Sequence, residues 1–240
     1  MKRAFKVMLL TVSLLCLLFP DAGHAQTKKK KKVKSTCGAT GFANCPAKGC
    51  GGDPELNQKK NTESTPAATD IEDGTLKDVA ALTFPKEWKP GTKRTLLESW
   101  GEGKSLRVKA FIIHAKNYPS GMESCNCNLK LTVNNDFHLV LVDSKRKQEK
   151  SSVTAEISPH IRPEGWTIAK LRALSKQKAY VRVTGFAMLD TQHLKRPISR
   201  ITNWELHPVT AFEVCTKTKT ACDQGDGWQD LGEFPEPKKK

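Results

Sequence analysis

The residues that carry chemistry in this chain are histidines that travel with acids. Asp136 and His138 are two apart in N-D-F-H-L-V, and Glu205 and His207 are two apart in W-E-L-H-P-V. Asp190 and His193 share L-D-T-Q-H, and Glu156 precedes the S-P-H-I-R run that holds His160 and Arg162. Residues two apart on an extended strand project from one face, so two of these pairs present a carboxylate and an imidazole side by side. Neutral imidazole with carboxylate is a donor set for a borderline divalent metal, which in turn activates water for ester or phosphodiester cleavage. With Arg200 added, the candidate ligand-binding set is Asp136, His138, Glu156, His160, Arg162, Asp190, His193, Arg200, Glu205 and His207. Within it, His138, Asp136, Glu205 and His207 are the metal candidates, and a divalent metal is the one candidate cofactor. No H-E-x-x-H or comparable spacing is present. The competing reading is structural: such side chains cap strand ends and satisfy buried backbone groups.

Other nucleophiles are poorly supported. There is no G-x-S-x-G elbow, and Ser124 in E-S-C-N-C has no identifiable base. Cys125 and Cys127 in that motif bridge each other only with strain, and nothing around them marks a lowered thiol pKa. Pairing of both with two of Cys37, Cys45 and Cys50 is the better expectation, with Cys215 and Cys222 closing a C-terminal hairpin. That leaves one of the seven cysteines after residue 25 unpaired. A zinc knuckle at Cys37, Cys45 and Cys50 lacks the close C-x-x-C pair such sites use.

The elements that position these residues are legible from periodicity. Strands are expected at 106–115, 137–142, 153–157, 180–189 and 203–214, with a helix over 166–176 where Ala169, Leu171 and Leu174 take helical spacing. The order β-β-β-α-β-β in little more than a hundred residues is that of the five-stranded oligonucleotide/oligosaccharide-binding (OB-like) barrel, a mainly β fold. A split β-α-β sheet is the competing topology. Ligands of such barrels lie across strands two and three, flanked here by the connections 116–136 and 190–202. The expected organisation is a signal peptide at 1–25, a lysine-rich arm at 26–34, an irregular cysteine-containing segment and linker at 35–99, the barrel at 100–216 and a C-terminal tail at 217–240.

The formal charge of +15 invites a polyanion partner. Nine of those positive charges, however, sit in Lys28–Lys32, Lys34 and Lys238–Lys240. Lysine runs without aromatic interleaving are solvated, disordered arms that hold any polyanion, whether envelope polymer or nucleic acid. A hydrophobic content of 38% in 240 residues excludes a wholly disordered chain. The basic start, the apolar run Val7 to Phe19 and the ending Gly23-His24-Ala25 describe a secretory signal cleaved after Ala25. Lipidation at Cys16 is disfavoured by Leu15 before it. No later stretch is long and apolar enough to span a membrane, so a periplasmic or secreted protein is expected.

The run from S-C-N-C at 124–127 through D-F-H-L-V-L, A-E-I-S-P-H-I-R and V-R-V-T-G-F-A-M-L-D-T-Q-H to N-W-E-L-H-P-V-T-A-F-E-V resembles a family of uncharacterised exported bacterial proteins with a small barrel domain. The leader C-P-A-K-G-C-G-G-D-P-E-L-N-Q-K-K-N at 45–61 is similar to one found before such domains. The resemblance implies fold and export and carries no activity. Thermonuclease-like enzymes use a comparable barrel with acidic ligands and arginines, for which Asp136, Asp143, Glu156, Arg162 and Arg200 are the counterparts in type, though not in spacing. Three functions follow as expectations: a binding module for an anionic polymer or oligosaccharide, a metal-dependent hydrolase or nuclease, and an envelope scaffold.

Overall fold

The computed structural model describes residues 37–89, 91–194 and 198–237. The expected signal peptide at 1–25, the lysine arm at 26–34 and Lys238–Lys240 lie outside the described residues. The described strands are β1 (Ile71–Gly74), β2 (Ser105–Lys116), β3 (Phe137–Val142), β4 (Val153–Ile157), β5 (Tyr180–Leu189), β6 (Trp204–Cys215) and β7 (Trp228–Asp230). The helices are α1 (Pro54–Lys60), α2 (Leu76–Ala81), α3 (Ile168–Lys176) and α4 (Lys219–Asp223).

Strands β2 to β6 close a five-stranded barrel in the order β2-β3-β4-β6-β5, with β5 pairing back onto β2. The β4–β6 contact is parallel through Thr154↔Glu205 and Ala155↔Leu206, and the other barrel pairings are antiparallel. Alternation explains which residues point in. Phe137, Leu139 and Leu141 of β3, Val153, Ala155 and Ile157 of β4, and Leu206, Val209 and Phe212 of β6 join one buried apolar cluster. Each of these side chains larger than alanine contributes about 1.5–3 kcal/mol by leaving water. The residues between them, His138, Glu156, Glu205 and His207 among them, face outward from the barrel.

Helix α3 sits between β4 and β5 in sequence, as the period change at Trp166 foretells. Thr167 caps it by accepting from Lys170 N at 3.2 Å, and it buries Leu171 and Leu174. On β5 the register shifts around Gly185, where an added Cβ would stand 2.8 Å from the Pro208 carbonyl oxygen. A side chain there would hold β6 away, so glycine permits the close approach.

The segment 35–99, expected as irregular with a linker, carries more structure than that. Asp53 accepts from Glu55 N at 3.1 Å and Leu56 N at 3.2 Å, with Pro54 in the first turn, and so starts α1. Strand β1 joins the sheet parallel to β2 through Ile71↔Ser105. The knot before α1 is zipped onto the β2–β3 connection: Cys50 N donates to Ser124 O at 2.7 Å and Asn61 Nδ2 to Cys125 O at 2.8 Å. Residues 217–237 are likewise not a tail. Strand β7 pairs with β6, Leu231 is fully buried, and Lys170 Nζ donates to Gly232 O at 2.9 Å. The apolar side chains of Trp228, Leu231 and Phe234 give this stretch surface worth burying.

Among the described residues there are three disulfides: Cys37–Cys50, Cys45–Cys127 and Cys215–Cys222. Cys125 is free and buried, so only one arm of the C-N-C motif clamps the N-terminal segment. The expectation that both would do so treats the motif as extended. Instead Cys127 and Asn128 have φ of 53° and 56°, a left-handed turn that sends the two thiols apart. Disulfides of this kind are compatible with an exported protein, and no helix among the described residues is long and apolar enough to cross a membrane.

Candidate functional site

The outer face of β3, β4 and β6 is floored by polar side chains that would normally meet water. Here it is roofed by α1, by the β2–β3 connection and by the β5–β6 connection. Between roof and floor lies a cavity of about 430 Å³, bounded by Lys60 on α1, Lys116 on β2, Glu123 and Asp136 on the first connection, His138 on β3, Glu156 on β4, and Asp190, His193 and Arg200 on the second. It occupies the place where barrels of this topology receive ligands. Its rim is partly apolar, with Tyr118 45% and Met122 75% exposed.

His138 is the centre of the wall. Register sets it opposite Glu156, whose Oε1 lies 2.7 Å from His138 Nδ1, and Glu123 Oε1 lies 2.9 Å from His138 Nε2. Below it, His207 Nδ1 is 2.8 Å from Glu156 Oε2 and 3.5 Å from Glu205 Oε1, while His207 Nε2 is 3.8 Å from Asp136 Oδ2. Lys60 reaches down from the end of α1 to within 3.6 Å of Glu156 and 3.5 Å of Glu205. Arg200 bridges Glu205, at 3.0 Å, and Asp190, which also holds His193. Asp136, Glu156, Glu205 and His207 are all at most 4% exposed.

This concentration of charge is costly unless it balances. Five carboxylates (Glu123, Asp136, Glu156, Asp190, Glu205) face two permanent cations (Lys60, Arg200), so with neutral imidazoles the cluster holds three uncompensated negative charges. The titration directions follow. Burial opposes the charged form of His207, but the Glu156 carboxylate outweighs it and the pKa rises to about 9. His138 is also raised against burial, chiefly by Glu156. Burial pushes Asp136 up to about 6, although His207 pulls the other way. Glu156 is held well below the usual range despite burial, by His138, Lys60 and His207. Asp190 is lowered despite burial, through its hydrogen bond with His193 and the charges of Lys60 and Arg200.

The capping alternative does not describe these side chains. Among the described residues, none of Asp136, His138, Glu205 and His207 makes a side-chain hydrogen bond to a backbone group; Asp136 accepts from Asn126 Nδ2 at 3.0 Å and Glu205 from Arg200. Asp136, Glu156 and His207 each offer one donor atom within 4.8 Å of the other two, a grouping that fits a metal ion. The grouping of Cys37, Cys50 and Cys127 is covalently committed to disulfides.

Eight of the ten sequence candidates thus come together. His160 and Arg162 do not, because the chain turns after Ile157 and carries them off the cavity wall. His160 packs against the Phe42 ring at 4.7 Å and lies 3.7 Å from Glu63. Arg162 lies over the Phe137 ring at 3.8 Å and donates to Asn135 O and Val133 O, which pins the β2–β3 connection. Sequence reasoning misses Lys60, Glu123 and the Cys125 lining. The N-cap signal Asp53-Pro54-Glu55 was the available clue to a helix ending at Lys60, and nothing periodic marks Glu123. Compared with family models, characterised proteins and solved structures, the chain finds no match.

Proposed function

We propose that this is an exported hydrolase that cleaves phosphodiesters or esters in the cavity on β3, β4 and β6. One observation carries the reading: eight ionisable groups of the cluster, drawn from α1, β3, β4 and two connections, line a cavity at the barrel's ligand face, and Glu205 and His207 of β6 lie buried against them. Evolving so many buried charges for stability alone is poor economy, since well-packed apolar residues do that job as well or better. Perturbed titratable groups in a cleft are the usual mark of a reaction centre.

The proton-handling unit is the carboxylate–imidazole–carboxylate chain Glu123–His138–Glu156, open to the cavity at His138 and Glu123. In the reaction a water oxygen bonds to phosphorus or acyl carbon, the bond to the leaving oxygen breaks, and the water proton passes through this chain to the leaving group. No oxidation or reduction is involved. The position of Tyr118 at the rim also favours a second reading, in which the cavity binds an oligosaccharide without cleaving it. The polyanion reading loses support inside the cavity, because Lys60, Lys116 and Arg200 are already paired with Glu156, Glu149 and Asp190. Export is supported by the three disulfides and by the basic-apolar start of the chain.

Bis(p-nitrophenyl) phosphate and p-nitrophenyl acetate are the first substrates to try, on wild type, His138→Gln and His160→Gln chains of matched near-ultraviolet circular dichroism. Turnover that falls about 10²–10⁴-fold in His138→Gln and is unchanged in His160→Gln is expected. Equal turnover in wild type and His138→Gln, or none at all, overturns the reading.

A further inference from the structure

We propose that Asp136, Glu156 and His207 bind a single divalent first-row metal ion, with zinc or manganese the best match to one imidazole and two carboxylates. The proposal deepens the hydrolytic reading, since the ion's catalytic significance rests on it, but the site itself stands on its own geometry.

The first ground is how the carboxylates are held. Each has one oxygen committed to an orienting neighbour and the other turned to His207. Asp136 Oδ1 accepts from Asn126 Nδ2, and Oδ2, which also takes a weak bond from Cys125 Sγ at 3.7 Å, faces the ring; Glu156 Oε1 meets His138 Nδ1, leaving Oε2 toward the ring. Outer partners that fix the direction of first ligands are how metal sites are built. The second ground is independent. His207 is 1% exposed, and neither of its ring nitrogens has a hydrogen-bond partner; Glu156 Oε2 has none either. The 2.8 Å between His207 Nδ1 and Glu156 Oε2 is close, yet the oxygen lies off the direction of the ring N–H. A buried ring with both nitrogens unanswered is expensive, and an ion shared with Asp136 and Glu156 answers one of the two nitrogens together with Glu156 Oε2.

The spacing agrees. Ligand atoms around a tetrahedral zinc, each about 2.0–2.1 Å from the ion, stand about 3.3 Å apart. The three donor atoms here fall within 4.8 Å of one another, so adjustments of at most about 1.5 Å suffice. Asp136 and Glu156 line the cavity, which supplies an entry route and a fourth position for water or substrate. An imidazole ligand argues against calcium, which takes oxygen donors. Lys60, 3.6 Å from Glu156 Oε2, is the cation that competes for the site.

The test is equilibrium binding of zinc and of manganese to the full chain, by calorimetry with elemental analysis after dialysis, on wild type, Glu156→Gln, Asp136→Asn and Lys60→Met. One ion per chain is expected in wild type, with affinity at least 100-fold weaker in Glu156→Gln and Asp136→Asn and tighter in Lys60→Met. Cobalt substitution supplies a second readout, a visible absorption band that those two carboxamide variants lose. These carboxamides are near-isosteric, and matched circular dichroism separates ligand loss from misfolding. No bound ion in wild type, or equal affinity in wild type and both carboxamide variants, overturns the site. Turnover that persists in ion-free protein overturns the ion's catalytic role and leaves the hydrolase reading standing; a bound ion without turnover upholds the site and overturns the hydrolase reading.

Discussion

Arg94 to methionine is the substitution whose consequence the structure specifies most fully. Arg94 and Glu102 form a bidentate ion pair with both side chains 1% exposed, and the same guanidinium donates to Leu189 O at 2.8 Å and Thr191 Oγ1 at 3.2 Å. Methionine fills much of the volume and abandons the Glu102 carboxylate inside the protein. Breaking a buried pair from one side costs about 3–5 kcal/mol, which for a domain of this size lowers Tm by about 6–20 °C. Replacing Glu102 by methionine as well removes the stranded charge, so the double variant recovers most of the loss. The pH dependence has a definite sign. Burial holds the Glu102 pKa above its ordinary value, with Arg94 pulling it back. A carboxyl raised in the folded state binds more protons there than when unfolded, so stability falls as pH rises through the interval between the two pKa values. Losing Arg94 widens that interval. The deficit of Arg94→Met is therefore largest at neutral pH and shrinks as the pH approaches the ordinary carboxylate value of about 4.3. Thermal melts of wild type, both singles and the double at several pH values read this out. An Arg94→Met chain that melts within about 2 °C of wild type, or a double variant no more stable than Arg94→Met, refutes the reasoning.

Further outcomes follow from named contacts. Removing Cys45–Cys127, which spans 82 residues, by paired serine substitution costs about 4.6 kcal/mol on the chain-entropy account, against about 2.5 kcal/mol for Cys215–Cys222, which spans 7; denaturant melts compare them. Arg162→Ala forfeits the stack on Phe137 and two carbonyl bonds, and lowers stability by about 1–2 kcal/mol by the same measurement. Cys125, whose thiol is pushed well up by burial and by the Asp136 charge, resists a thiol reagent in the folded protein and reacts in denaturant, as mass mapping of its peptide reports.

The barrel was readable because its evidence is periodic. Phe137 to Val142, Val153 to Ile157 and Tyr180 to Leu189 begin and end where their apolar patterns do, and Thr167 to Lys176 changes period where the chain changes structure. Two-residue spacing likewise put Glu205 and His207 on one outward face. What the pattern lacked was any account of what covers that face. The roof consists of a seven-residue helix, too short to show a period, and of connections shaped by turns and disulfides rather than by hydrophobic order. Lys60 and Glu123 belong to that roof and were therefore invisible, whereas His160 and Arg162 stood near Glu156 in sequence and were parted from it by a single turn.

The Cys45–Cys127 bond ties the stretch leading into α1 to the connection that carries Glu123, and α1 delivers Lys60. A reducing cytosol keeps such thiols apart. Without that bond the roof is held by hydrogen bonds such as Asn61 to Cys125 O and Ser124 to Asn57 and by the Lys60 ion pairs with Glu156 and Glu205. On the export proposed above, that covalent tie is added only after the chain has left the cytosol. Over a separation of 82 residues, the cross-link adds a covalent tether between the wall that carries Glu123 and the stretch that leads to Lys60.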